Sequence, residues 1–232
     1  MKAMILAAGR GERMRPLTDC RPKPLLEVGG HRLVEYHLAS LQRLGTRDVV
    51  VNLSWLGASI REALGDGSRY GLAIRYSDEG PVALGTGGGL HAALALLGTD
   101  PFLVVNSDVW TDFALDSLRR PADSLAHLVL VDNPEHHPGG DFGLDGERAV
   151  AASERLTYSG VAVIDPSLFA GCKPGVYPLR PLLDRALEAG RLTGQRHAGA
   201  WTDVGTPARL AALDAELRLG KLRHPVLSSP VG

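Results

Sequence analysis

Short apolar runs alternating with helical patterns constrain this chain more than any other feature. Ala3-Met4-Ile5-Leu6-Ala7-Ala8, Asp48-Val49-Val50-Val51-Asn52-Leu53 and Leu72-Ala73-Ile74-Arg75-Tyr76 are apolar or β-branched, as strands covered on both faces must be. Between the first two, Leu33, Tyr36, Leu38, Leu41 and Leu44 recur at near-helical spacing and stop at Gly45, a glycine C-cap. Leu56 to Leu64 is again helical, and Gly65-Asp66-Gly67-Ser68 turns the chain into the third run. Strand, helix, strand, helix, strand predicts a parallel α/β sheet. Pro101 to Val105 predicts a further strand that runs straight into Asn106-Ser107-Asp108. Open α/β sheets bind ligands at such carboxyl ends.

The remaining segments fill in the architecture. Asp78 to Gly89, with its many glycines and Pro81, reads as a loop leading into an apolar helix from Leu90 to Leu97. Leu125 to Val131 is another apolar run, followed by an aperiodic loop through Gly140. Asp145-Gly146-Glu147 between short apolar flanks is a hairpin signal, and Thr157 to Ile164 reads as a strand, so an antiparallel addition is expected from Asp141 onward. Pro178 to Ala189 has helical leucine spacing, and Thr206-Pro207 opens a last helix as N-cap and first residue. The expected whole is a three-layer α/β sandwich in one domain, residues 1–220, with a fraying tail over 221–232.

With 232 residues, 44% of them hydrophobic, the chain can bury a full core without disulfide or metal staples. Its 25 basic and 26 acidic residues leave a net charge of −1, so no global field attracts nucleic acid or an anionic membrane. Cys20 and Cys172 form neither a disulfide framework nor a zinc spacing. The N-terminal apolar run breaks at Gly9-Arg10 and reads as a strand rather than a leader; no stretch reaches the roughly 18 apolar residues of a membrane span. A cytoplasmic, monomeric protein is expected.

Local charge is a different matter. Gly9-Arg10-Gly11-Glu12-Arg13 follows the first strand with glycines able to reach positive φ and leave N–H groups facing an anion, and Arg13, Arg15 and Lys23 add positive charge. Lys23 is bracketed by Pro22 and Pro24. The dinucleotide fingerprint fails because Met14 stands where its third small residue belongs, and the Walker pattern fails because no Gly-Lys-Ser/Thr occurs. His136-His137 lacks the spacing of a helical zinc pair and reads as loop surface or substrate rim.

Leu6-Ala7-Ala8-Gly9-Arg10-Gly11-Glu12-Arg13-Met14-Arg15-Pro16-Leu17-Thr18, with Pro22-Lys23-Pro24-Leu25, resembles the signature loop of the sugar-1-phosphate nucleotidylyltransferases. The resemblance implies their fold, a mostly parallel Rossmann-like sheet of the nucleotide-diphospho-sugar transferase type. It also implies that Ala8, Gly9, Gly11, Glu12, Arg13 and Lys23 bind a nucleoside triphosphate, with Lys23 and Arg13 catalytic. Asn106-Ser107-Asp108 and Trp201-Thr202-Asp203-Val204-Gly205-Thr206 resemble the family's two metal-binding motifs, which implies Mg²⁺ on Asp108 and Asp203. The octahedral ion takes one or two carboxylates and completes its shell with phosphate oxygens and water.

Gly85 and Thr86 fall at the family's base-recognition position. Leu-Gly-Thr-Gly-Gly there is partly similar to the mannose-1-phosphate guanylyltransferases. Asn52-Leu-Ser-Trp55, His127 to Pro134 and Asp141-Phe142 resemble the bacterial N-acetylmuramate 1-phosphate uridylyltransferases, which implies UTP and N-acetylmuramate 1-phosphate as substrates. By the same resemblance Asn106, Asp141 and Glu154 face the sugar. A guanylyltransferase and a non-catalytic nucleotide-sensing module stand as the alternatives.

Overall fold

The computed structural model describes residues 1–227. In chain order they form β1 (Ala3–Leu6), α1 (Leu17–Cys20), β2 (Glu27–Val28), β3 (His31–Arg32), α2 (Leu33–Arg43), β4 (Asp48–Leu53), α3 (Gly57–Leu64), β5 (Ala73–Asp78), α4 (Gly85–Leu97) and β6 (Phe102–Asn106). There follow β7 (Val109–Thr111), β8 (Ala126–Val131), β9 (Gly143–Asp145), β10 (Arg148–Val150), β11 (Thr157–Ile164), α5 (Arg180–Glu188), β12 (Leu192–His197), β13 (Trp201–Asp203) and α6 (Pro207–Arg218). A nine-stranded sheet in the order β5-β4-β1-β6-β11-β8-β12-β10-β9 forms the middle layer. Only β11 and β10 oppose the common strand direction.

Side-chain alternation along the strands explains the three layers. Ile5, Val49, Val51, Leu103 and Val105 point into one buried cluster with Val34, Leu38 and Leu41 of α2 and Ile60 of α3. Met4, Val50, Phe102 and Val104, their immediate neighbours, enter the opposite cluster with Leu90 and Ala93 of α4 and Leu182, Leu183 and Ala186 of α5. A two-residue period with both faces apolar can be satisfied only when helices cover both sides. A third cluster joins Met14, Leu33, Tyr36, Trp110, Val204, Leu213 and Leu217, and it seats α6 beside α2.

Two features differ from the expectations above, and two more add to them. Helix α4 begins at Gly85 rather than Leu90, and Gly87, Gly88 and Gly89 are buried inside it. Those glycines serve close packing. A Cβ on Gly87 would lie 2.7 Å from the Pro178 carbonyl oxygen, and one on Gly88 would lie 2.2 Å from that of Gly175. Strand β11 is not part of a peripheral addition but lies between β6 and β8 in the heart of the sheet, and only the β9–β10 hairpin forms the antiparallel edge. Strand β12, whose sequence LTGQRH has no apolar alternation, pairs in parallel with β8 over six residues. Finally, the segment 221–227, expected to fray, includes residues packed on the body of the domain. His224 is buried against Tyr36 and Trp110, and Arg43 donates to the Pro225 carbonyl at 2.7 Å. The rest of the tail lies outside the described residues.

Candidate active site

From β1 the chain goes outward to β4 and β5, then crosses back to β6 on the other side of β1. The carboxyl ends of β1 and β6 thus diverge at a switch point, where α/β sheets open a ligand crevice. A cleft of about 610 Å³ lies there. Its wall includes Ala8, Gly9, Gly11, Glu12, Arg13 and Lys23 from the first loop region, Gly85 and Thr86 from the start of α4, and Asn106 and Asp108 from the end of β6.

The first loop is held open by its own bonds. Gly11 sits at φ 67, Met14 N–H donates to its carbonyl at 2.9 Å, and the Thr18 hydroxyl donates to the same carbonyl at 2.8 Å. Met14 is wholly buried in the third cluster and anchors the loop's far end, which is why a large apolar residue replaces the small one of a dinucleotide fingerprint. Gly9 does not adopt positive φ; the space its missing Cβ would fill is open. Among the described residues, no N–H group from Gly9 to Arg13 donates to a protein acceptor. Consecutive undonated amides beside Arg13 and Lys23 leave an electropositive concavity of the kind that can accept an anion. Arg10, which the sequence did not single out, lies with its guanidinium 4.5 Å from the Trp55 ring centroid.

Lys23 is nine-tenths buried, and its Nζ donates to Asp108 Oδ2 at 2.6 Å. Asp203 arrives from a distant part of the chain because β13 pairs antiparallel with β7 in the register Asp203 to Val109, and Val204 N–H donates to the Asp108 carbonyl at 2.7 Å. This short ribbon brings both aspartates to one end of the sheet. Asp203 Oδ1 accepts from Arg209 Nη1 at 2.7 Å and lies 2.9 Å from His136 Nε2. Each aspartate thus has one oxygen beside a basic group. Two carboxylates suit Mg²⁺, and among the described residues no cluster of three or more acidic, histidine or cysteine ligands exists. The donor set fits an ion that takes its remaining ligands from phosphate and water, and it does not fit a closed structural metal site.

A partly buried polar chain spans the cleft's other wall. Asn52, 3% exposed at the end of β4, accepts from Ala7 N–H at 2.7 Å and donates to Glu79 Oε1 at 2.6 Å. Glu79 Oε2 accepts from Leu84 N–H at 2.6 Å. Both side chains line the cleft. Sequence reasoning did not assign them a role, although Asn52, like Asn106, is a polar residue closing an apolar strand run. Glu79 carries no such signal, since its partner is 27 residues away.

The sugar-facing candidates separate. Asn106 lines the cleft and packs against Gly160, where a Cβ would lie 2.7 Å from its Nδ2. That glycine sits in the register shift of β11 between Tyr158 and Ala162. Asp141 lies outside the cleft wall: its Oδ2 accepts from Tyr158 N–H at 2.8 Å, and its Oδ1 faces Arg180 and His137 at 3.2 and 3.4 Å. Glu154 is exposed on the loop before β11 and does not line the cleft. Behind Asp108, His37 of α2 is fully buried; desolvation first of all holds its pKa down at about 4, against smaller opposing effects of a hydrogen bond with the Val109 backbone and the charge of Asp108.

No helix of the described residues is long and apolar enough to cross a membrane. The nucleotidyl transferase family pattern matches residues 2–149. N-acetylmuramate alpha-1-phosphate uridylyltransferase of Neisseria meningitidis is 49% identical over 225 residues, covering 93% of this chain and 97% of that protein. The protein of the same name from Caulobacter vibrioides is 37% identical, over 94% of this chain and 97% of its own. The structure of the inositol-1-phosphate CTP transferase from T. maritima superimposes with a TM-score of 0.77 at 20% identity, covering 94% of this chain and 96% of that one, a likeness of fold.

Proposed function

We propose, since this chain belongs to the nucleotidyl transferase family, that it is a magnesium-dependent uridylyltransferase joining UTP and N-acetylmuramate 1-phosphate. The products would be UDP-N-acetylmuramate and pyrophosphate, as in peptidoglycan recycling. The observation that carries the reaction class is the meeting, around one cleft, of the undonated loop amides, Lys23 and Asp108, with Asp203 drawn alongside by the β7–β13 ribbon. The near-full-length likeness to two enzymes named for this activity supports the substrate pair. The protein would act in the cytoplasm as a monomer, with no nucleic-acid or membrane partner.

An oxygen of the sugar phosphate attacks the α-phosphorus in line, the bond from that phosphorus to the bridging oxygen of the β-phosphate breaks, and pyrophosphate leaves with the electron pair. A phosphate monoester has a second pKa of about 6 and is largely dianionic near neutrality, so no general base has to be found. What the chain must do is bring anions together and neutralise them. The N–H groups of Gly9, Gly11 and Glu12 face the triphosphate, and Arg13 and Lys23 add positive charge as negative charge shifts toward the leaving group. Lys23 reaches the phosphates from a proline-bracketed turn and keeps Asp108 aimed into the same space. Asp108 and Asp203 would hold Mg²⁺, which supplies Lewis-acid neutralisation of phosphate charge when bound. Ala8, Gly85 and Thr86 would frame the nucleotide, and Asn106, with Asp141 and Glu154 farther out, the sugar.

The test is a matrix of four nucleoside triphosphates against a panel of sugar 1-phosphates with Mg²⁺, scored by pyrophosphate release. UTP with N-acetylmuramate 1-phosphate should turn over fastest. Preference for GTP with mannose 1-phosphate would move the protein to the guanylyltransferase branch, and tight UTP binding with no pyrophosphate from any pair would make it a sensing module.

A further inference from the structure

We infer that Asn52 and Glu79 are a positioning pair that sets the distance between the triphosphate cradle and the base-binding start of α4, and thereby the preference for one nucleobase over another. The inference rests on the nucleotide reading above. Ala7 N–H, the last backbone donor before the cradle, is tied to Asn52, and Leu84 N–H, immediately before Gly85, is tied to Glu79. The two ties meet in the 2.6 Å bond between the side chains. The cradle and the start of α4 are therefore joined across the cleft by three consecutive hydrogen bonds, two of them fixed to main chain.

The surroundings are shaped to this chain of bonds. A Cβ on Gly89 would lie 2.3 Å from Glu79 Oε1 and 3.0 Å from Asn52 Nδ2, so a glycine at the fifth position of α4 makes room for the carboxylate–amide pair. Glu79 N–H donates to the Leu53 carbonyl at 2.9 Å, which pins the acid's main chain to the strand that carries Asn52. Neither residue needs to touch the reacting phosphorus. A nucleotide held at both ends senses the separation of its two binding loops, and displacements of about 1 Å in such supports cost on the order of 10²-fold in rate. Phosphates bound by the cradle alone sense no such separation.

Donor and acceptor order along the chain allows a sharp test. In N52D the new carboxylate still accepts from Ala7 but meets the Glu79 oxygen acceptor to acceptor. In E79Q the new amide must turn its NH₂ toward a donor on one side or the other. In the N52D/E79Q double variant the amide accepts from Leu84 and donates to the carboxylate, which restores all three bonds with the middle one reversed. We expect each single variant to raise KM for UTP by about 10-fold or more and to narrow the UTP-over-GTP preference. The inhibition constant of inorganic tripolyphosphate and KM for the sugar phosphate should stay within about 2-fold, and the double variant should return UTP KM and base preference toward wild type. Single variants that lower the thermal midpoint yet keep wild-type UTP KM and base preference would overturn the inference, as would a double variant no better than the singles. If the wild type makes no product from any pair, the enzymatic reading falls by itself. The same comparison is then scored by equilibrium affinity for UTP against tripolyphosphate, where a selective, rescuable loss for UTP supports the pair and parallel or absent losses refute it.

Discussion

Acid should destabilise this protein through His37 in a window set by its burial. The ring is buried on α2 behind Asp108, its pKa is held down at about 4, and among the described residues Nε2 has no hydrogen-bond partner. An unfolded chain titrates the same group near 6.5. The folded state therefore binds fewer protons between those values, so stability from this group is complete above pH 6.5 and declines as pH falls toward 4. Two-state linkage with these pKa values makes the loss about 2 kcal/mol by pH 5 and about 3 kcal/mol by pH 4, flattening below that. Against a typical total of roughly 5–15 kcal/mol this is substantial. Urea denaturation of wild type and H37L at pH 7.5, 6.0, 5.0 and 4.5 isolates the effect, because carboxylates and the other histidines titrate in both proteins. His224, also lowered to about 4 by burial and then by the charge of His37, remains in the variant. The wild type should lose about 2 kcal/mol more than H37L between pH 7.5 and 5.0. Equal pH slopes in the two proteins would refute the reasoning.

The candidate site yields two further expectations, and the packing of α4 a third. K23A should lose on the order of 10²-fold or more in kcat/KM, as for a lost electrostatic contact in the transition state, while circular dichroism shows an intact fold; wild-type turnover would remove Lys23 from the mechanism. D108A should fall by a similar factor and need more Mg²⁺ for half-maximal pyrophosphate release, whereas turnover persisting in excess chelator would argue against the metal. G88A should lose about 1–3 kcal/mol by denaturation, although alanine is intrinsically better in a helix by about 1 kcal/mol. The reason is that the new methyl would be driven against the Gly175 carbonyl, and a stabilised G88A would show that this contact relaxes cheaply.

Much of the frame was legible because it follows from local period. The both-faces-apolar strands β1, β4 and β6, the Gly45 stop after α2 and the Thr206-Pro207 start of α6 each follow from steric or hydrogen-bonding rules acting within a few residues. Where the reason lies elsewhere in the chain, either the element itself (β12) or its place in the sheet (β11) escaped. Strand β12 is dictated by pairing with β8, and β11 enters the sheet centre through neighbours remote in sequence. The Gly85–Gly89 stretch reads as loop by propensity, yet it opens a helix whose Gly87 and Gly88 N–H groups donate to the remote Tyr177 carbonyl, and Gly85, Gly87 and Gly88 lie too close to residues 175–178 for a Cβ.

Local chemistry along the chain determined that a glycine- and arginine-rich loop follows the first strand, that Lys23 stands in a proline-bracketed turn, and that polar groups close the strand at Asn106-Ser107-Asp108. These are properties of neighbouring residues. Tertiary structure alone decided that Asp203 stands beside that strand end, that each aspartate meets a basic side chain, that Glu154 stays off the cleft wall, and that Asn52 and Glu79 join the two halves of the cleft. Hydrogen bonds between side chains remote in sequence depend on strand register and helix placement, which the whole core sets by burying both faces of the sheet at once.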